Sequence, residues 1–195
     1  MSKLFTRNGK LKKASAYTVN FGIPALKTCP MAKICKDYCY ANKGAYIWPV
    51  VKAAYERRFE ATKNHDFDVM VCEELFNMPK VEAVRIHDSG DFYNEKYLMK
   101  WINAAHAFPD RVFYAYTKRV VMLKNYQAMG MLPDNFKIIY SIGGSEDRHI
   151  DMMHDRHSRI FNTEQELIDA GYINATHDDT IAWASNNNKI GLVIH

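Results

Sequence analysis

A chain of 195 residues, 48% apolar and 25% charged, suits one domain with a full hydrophobic core and has the balance of a soluble globular protein. No apolar run approaches the length of a membrane span, and the opening residues lack the apolar core of a signal peptide, so no membrane partner is expected and the reading is cytoplasmic. The net charge of +4 is uneven: Lys3, Arg7, Lys10, Lys12 and Lys13 crowd the start, and Lys27, Lys33, Lys36 and Lys43 surround a cysteine-rich stretch. Such a field favours an anionic partner, nucleic acid or a phosphorylated cofactor, or else is ordinary solvated surface.

Residues 1–15 read as a polar, partly flexible basic arm, and residues 16–195 as a single α/β domain. Ala16 to Leu26 reads as a strand that turns at Gly22 and Pro24. The stretch Thr28 to Ala41 follows, with Cys29, Cys35 and Cys39 in a C-x5-C-x3-C spacing. Without an export signal these thiols stay reduced, which argues against a disulfide framework. Three thiolates this close can hold one metal ion or one iron–sulfur cluster. Cys72, set among Val69, Val71 and Leu75, reads as a core thiol. With zinc in the loop, Cys72, His65 or His87 can supply a fourth ligand.

Pro49 opens a predicted helix through Asn64, and Asn64 or Asp66 caps another through Phe76. Val81 to His87 is a predicted strand, with Val84 and Ile86 on one side and Arg85 and His87 on the other. Asn94 caps the next helix, whose apolar stripe is Tyr97, Leu98, Trp101, Ile102 and Ala105. Strands are predicted at Arg111 to Thr117, Phe136 to Ile142 and Ser158 to Phe161, with a helix from Val121 to Met129 closed by Gly130. Thr163 and Glu166 form a capping box for a helix stopped by Gly171, and the tail offers weak strands at Ile181 to Trp183 and Gly191 to Ile194. Alternating strands and helices imply parallel strands joined by right-handed crossovers. Six such units fit a partial (β/α)6 barrel better than a complete eight-fold barrel, which needs about 250 residues. An open doubly wound sheet is the competing architecture.

In such folds the working residues gather where the strands end. The first strand leads to the three cysteines, the second to His87, Asp88, Ser89, Gly90 and Asp91, the third to Thr117, Lys118 and Arg119, and the fourth to Gly143 and Gly144. Asp88 or Asp91 can serve as general base, and with Lys118 they form the candidate catalytic set. Lys118 and Arg119 can also bind a phosphate or carboxylate. Gly143 and Gly144 are a weak phosphate-loop signal, since no Lys-Ser/Thr follows. Tyr38, Tyr40, Tyr46 and Trp48 can stack on a base, shield a cluster or simply pack.

Three motifs occur in order: Thr28-Cys-Pro-x4-Cys-x3-Cys-Tyr-Ala41, Arg85-Ile-His-Asp-Ser-Gly-Asp-Phe92 and Tyr114-Ala-Tyr-Thr-Lys118. Together they resemble the phage "gene product 88" family over roughly residues 15–145. That resemblance implies a phage or prophage origin, hence the host cytoplasm, and by itself no particular activity. More distantly, a three-cysteine loop after the first strand, with an aromatic beside the last cysteine, resembles the radical S-adenosylmethionine enzymes. Here the spacing is longer than their C-x3-C-x2-C, and Ser89-Gly90-Asp91 stands where they carry Gly-Gly-Glu. The likeness implies a [4Fe–4S] cluster on Cys29, Cys35 and Cys39 and S-adenosylmethionine positioned by Ser89, Gly90 and Asp91. In that reading Asp88, His87, Thr117, Lys118 and Arg119 stand near the substrate, a nucleotide or nucleic acid in keeping with the basic field. Asp88-Ser89-Gly90 also resembles the Asp-Ser-Gly of tRNA-guanine transglycosylases, which implies zinc and an aspartate nucleophile or base. A non-catalytic, metal-stapled phage binding protein is the third reading.

Overall fold

The computed structural model describes residues 3–37 and 39–194; Tyr38 lies outside the described residues. Seven strands form one sheet in the order β1-β2-β3-β4-β5-β7-β6, every neighbouring pair parallel, curled into a half-barrel. The strands are β1 (Thr18–Phe21), β2 (Ala83–Ile86), β3 (Val112–Thr117), β4 (Phe136–Ser141), β5 (His157–Phe161), β6 (Ile173–Asn174) and β7 (Lys189–Val193). The helices are α1 (Pro49–Lys63), α2 (Phe67–Phe76), α3 (Glu95–Ala107), α4 (Val120–Ala128), α5 (Glu164–Asp169) and α6 (Thr180–Ala184). The single α/β domain with parallel strands is thus the architecture observed. The sixth position is filled by β7, and the two-residue β6 forms the far edge.

Side chains alternate between two cores, as strand geometry requires. Val19, Phe21, Val84, Ile86, Phe113 and Ala115 face outward, under a helix layer that contributes Phe67, Leu98 and Trp101. Ala83, Tyr114, Ile139 and Ile190 face the concave side, where α6 seats Ala182 against them. The helix boundaries follow local chemistry. Pro49 is the first residue of α1, and the Asn94 side chain accepts the Tyr97 N–H at 2.9 Å to open α3. Gly130 and Gly171 take positive φ just past α4 and α5. Half of the capping box is present: Thr163 Oγ1 accepts the Glu166 N–H, while the Glu166 carboxylate accepts from Asn162 instead.

Three expectations are corrected. Residues 3–15 are not a loose arm: Leu4, Phe5 and Leu11 are buried, Thr6 bridges Asn20 of β1, and Glu74 accepts the Leu4 and Phe5 N–H groups. Ile181 to Trp183 is helix rather than strand, because Asp178 accepts the Thr180 N–H and starts a turn that buries Ala182. His87 does not share the side of Arg85. Its φ of 68° turns it out of the strand pattern, and its ring packs with Phe92 and Tyr97 under α3.

Candidate functional site

The cysteine stretch leaves β1 and crosses the strand ends to β4, through three short 3-10 turns at Ile34–Lys36, Tyr40–Asn42 and Gly44–Ile47. At the far side Ala32 bridges Gly144, and the Gly143 carbonyl accepts the Lys33 and Cys35 N–H groups. The Met31 carbonyl accepts the Ser145 N–H at 2.9 Å. At the near side Thr28 Oγ1 donates to the Pro24 carbonyl at 2.7 Å, and the Tyr40 hydroxyl donates to the Asp88 carbonyl. The loop is therefore fastened at both rims and roofs the mouth of the half-barrel.

Beneath it lies a cavity of about 150 Å³. Cys29, Cys35 and Cys39 line it together with Ser89, Gly90, Asp91, Thr117 and Lys118. The thiols and the acidic turn thus share one mouth. Burial, with Asp91 and the other two cysteines adding to it, pushes the Cys29 thiol up to about 12. It is a neutral thiol at pH 7 until a metal displaces its proton. Among the described residues no group of three His, Cys, Asp or Glu stands close enough to hold a single metal ion as placed. Cys72 is half-buried on α2 and borders a groove beside Met78 and Phe108, away from the mouth; His65 is exposed and pairs with Asp66. Neither supplies a fourth ligand.

The acidic turn is held tightly. Asp91 accepts from the Phe92 N–H at 2.7 Å, Thr117 Oγ1 at 2.6 Å and the Lys118 N–H at 2.9 Å, tying the β2 loop to the end of β3. Asp88 accepts from Asn20 Nδ2 at 2.7 Å and the Tyr55 hydroxyl at 2.9 Å. Its other oxygen has no partner, and packs where a side chain on Gly22 would stand. Burial raises both carboxyls above their ordinary range, despite Arg85 beside Asp88 and the Thr117 hydroxyl on Asp91. Asp91 can act as a base only by giving up bonds that shape the loop, whereas Asp88 keeps one oxygen unbonded, buried beside Gly22. Ser89 Oγ donates to the Ile23 carbonyl at 3.0 Å, while Gly90, at φ 89°, lets Ile23 and Thr28 approach.

Lys118 is the free cation of the cavity. Its Nζ donates to Ser141 Oγ at 2.8 Å, and among the described residues no carboxylate pairs with it. Arg119 points elsewhere, onto Met122, and does not line the cavity. Gly143 and Gly144 do not offer their N–H groups to a phosphate: Asp147 accepts both, at 2.8 and 2.9 Å. They serve as the clasp for the cysteine loop.

His87 borders the cavity, but its Nε2 shares a 2.8 Å hydrogen bond with the Tyr97 hydroxyl on the helix side. Burial pushes its imidazole down to about 3. An unfolded chain takes that proton near pH 6.5, so the contribution to stability is full above about 6.5 and falls toward pH 3 by up to about 1.4 kcal/mol per pH unit. The raised carboxyls of Asp88 and Asp91 act in the opposite sense, so a difference measurement isolates it. His87→Asn, which tolerates positive φ, should lose less stability than the wild type on acidification from pH 6.5 to 4 in urea titrations. Parallel pH curves would show that folded His87 takes its proton normally.

Sequence reasoning passed over Arg85 and Tyr116, which line the cavity from β2 and β3, and Ser158 from β5. A lone Arg within the apolar alternation of β2 was the available signal. Of the other histidines, His154 is exposed beside Asp151, and His157 is buried with its Nε2 hydrogen-bonded to the Tyr172 hydroxyl at 3.0 Å.

Fold and site together define a parallel half-barrel α/β protein whose mouth is roofed by a thiol-bearing loop. Compared with protein-family models, the chain matches Gene product 88 over residues 2–193, and it belongs to that family of phage gene products. No curated protein and no solved structure matches the chain. Among the described residues no helix is long and apolar enough to cross a membrane.

Proposed function

We propose that Cys29, Cys35 and Cys39 hold a [4Fe–4S] cluster and that the chain is a radical S-adenosylmethionine-like enzyme acting on a nucleotide or nucleic acid. The observation that carries this reading is the single cavity shared by the three thiols, the Ser89-Gly90-Asp91 turn and the unpaired Lys118. Three thiols would leave one coordination position of such a cluster for a small-molecule ligand; His87, which also lines the cavity, has its Nε2 on the Tyr97 hydroxyl and its Nδ1 without a partner. At about 150 Å³ the cavity suits a compact inorganic group at the thiols, and S-adenosylmethionine, which needs a pocket of roughly 300–1,000 Å³, would have to extend beyond it. When bound, the cluster and S-adenosylmethionine supply one-electron reductive chemistry that the side chains cannot.

The chain's own residues would orient and shield. The roof loop excludes water, Asp91 fixes the Ser89–Gly90 backbone against β3, and Lys118 presents a cation to a carboxylate or phosphate. Zinc on the same thiols, with Asp88 or Asp91 as nucleophile, fits less well, because hydrogen bonds engage both oxygens of Asp91 and the free oxygen of Asp88 is buried against Gly22. Single Cys29→Ser, Cys35→Ser and Cys39→Ser variants should each lower retained metal at least ~tenfold by elemental analysis, with Cys72→Ser unchanged. Metal retained equally by all four would remove the thiol site.

A further inference from the structure

Behind the thiol cavity the half-barrel holds a second compartment of about 330 Å³, within the span of small-molecule pockets, roughly 300–1,000 Å³. The two share Tyr40, Arg85, Ile160 and Leu192 in their walls, but no cysteine borders the second. Its lining pairs aromatic residues, Tyr40 and Tyr46 in edge-to-face contact at 5.5 Å, with the aliphatic Ile160 and Leu192. This is a wall pair suited to a flat ring.

Its charge is positive. Lys10, Lys43 and Arg85 face it against Asp88, and Asp179 behind them balances one cation more. Arg85 is held by Asp179 through Nη1 at 2.8 Å, yet its buried Nε has no partner. Arg85 borders the compartment together with Lys43, and a guanidinium there is suited to a carboxylate or phosphate.

We propose that this compartment binds a small organic anion, a phosphate or carboxylate carried on a flat ring, with Arg85 and Lys43 on the anion and the ring between Tyr46 and Ile160. Adenosine 5′-monophosphate is the probe, with adenosine and inorganic phosphate as its two halves, measured by calorimetry on the full chain. The nucleotide should bind saturably and at least tenfold tighter than either half. Lys43→Glu, on the exposed loop, and Ile160→Trp, which fills the compartment from a partly exposed strand position, should each weaken it at least tenfold. Cys72→Ser, on α2 away from both cavities, should leave it unchanged. No saturable binding, either half binding as tightly as the whole, or binding indifferent to both wall variants would each overturn the assignment.

Discussion

Replacing Asp179 by Ala is expected to lower the stability of the fold by about 3–5 kcal/mol, because it strands the buried Arg85 guanidinium and removes the partner of Lys10. The Asp179 side chain is fully buried, and it accepts from Lys10 Nζ at 2.6 Å, Arg85 Nη1 at 2.8 Å and the Tyr114 hydroxyl at 2.7 Å. It therefore joins the N-terminal segment, β2 and β3 at the start of α6. Lys10, with 26% of its side chain exposed, can turn to water; Arg85, at 11%, cannot readily do so. Asp179→Asn keeps acceptors but not the charge, and should fall between Ala and wild type. Burial alone would raise the Asp179 carboxyl, but Arg85 and Lys10 outweigh it and hold it below the ordinary range. Its contribution is full above the unfolded value, about 3.9, and is lost as pH falls through the lower folded value. Urea midpoints at pH 7 measure the effect; a loss below about 1 kcal/mol for Asp179→Ala would mean that the cations find solvent.

Gly90→Ala should cost about 3 kcal/mol or more and disrupt the thiol cavity as well. At φ 89° the backbone disfavours any side chain, and a Cβ there would come within 2.4 Å of Ile23 Cγ1 and 2.6 Å of Thr28 Oγ1. Thr28 precedes Cys29 and anchors the roof loop through the Pro24 carbonyl. The overlap therefore pushes on the loop that carries the thiols. Denaturant unfolding together with metal retention checks both consequences. A near-neutral Gly90→Ala would show that turn and roof are not in contact in solution. Gly130→Ala is the control: it has positive φ but nothing near it, so only the conformational part of the cost should remain.

The contrast between these two sites shows what the sequence could disclose. Strands β1 to β5 were legible because Val84 and Ile86 or Phe113 and Ala115 repeat with period two, and because Asn94, Pro49 and Gly130 mark helix ends chemically. The gathering of Cys29, Cys35, Cys39, Asp91, Thr117 and Lys118 followed from one rule about strand ends, without knowledge of any contact. What escaped is long-range. Asp179 lies 94 residues from Arg85, and nothing in its own neighbourhood marks it as a buried counter-ion. Gly143 and Gly144 look like a phosphate loop until Asp147, three to four residues on, is seen to accept both N–H groups. His87 sits in strand register by sequence, but its positive φ turns the ring to the other side. Residues 3–15 looked like a basic tail because their lysines outnumber the few apolar side chains, Leu4, Phe5 and Leu11, that dock them.

The central claim is that the roof thiols bind an iron–sulfur cluster at the mouth shared with the Ser89-Gly90-Asp91 turn. Protein purified without oxygen should be brown, with iron and acid-labile sulfide each near about four per chain, and both should be lost in Cys29→Ser. Colourless protein carrying one zinc, or iron retained undiminished by the Cys29→Ser variant, would contradict it.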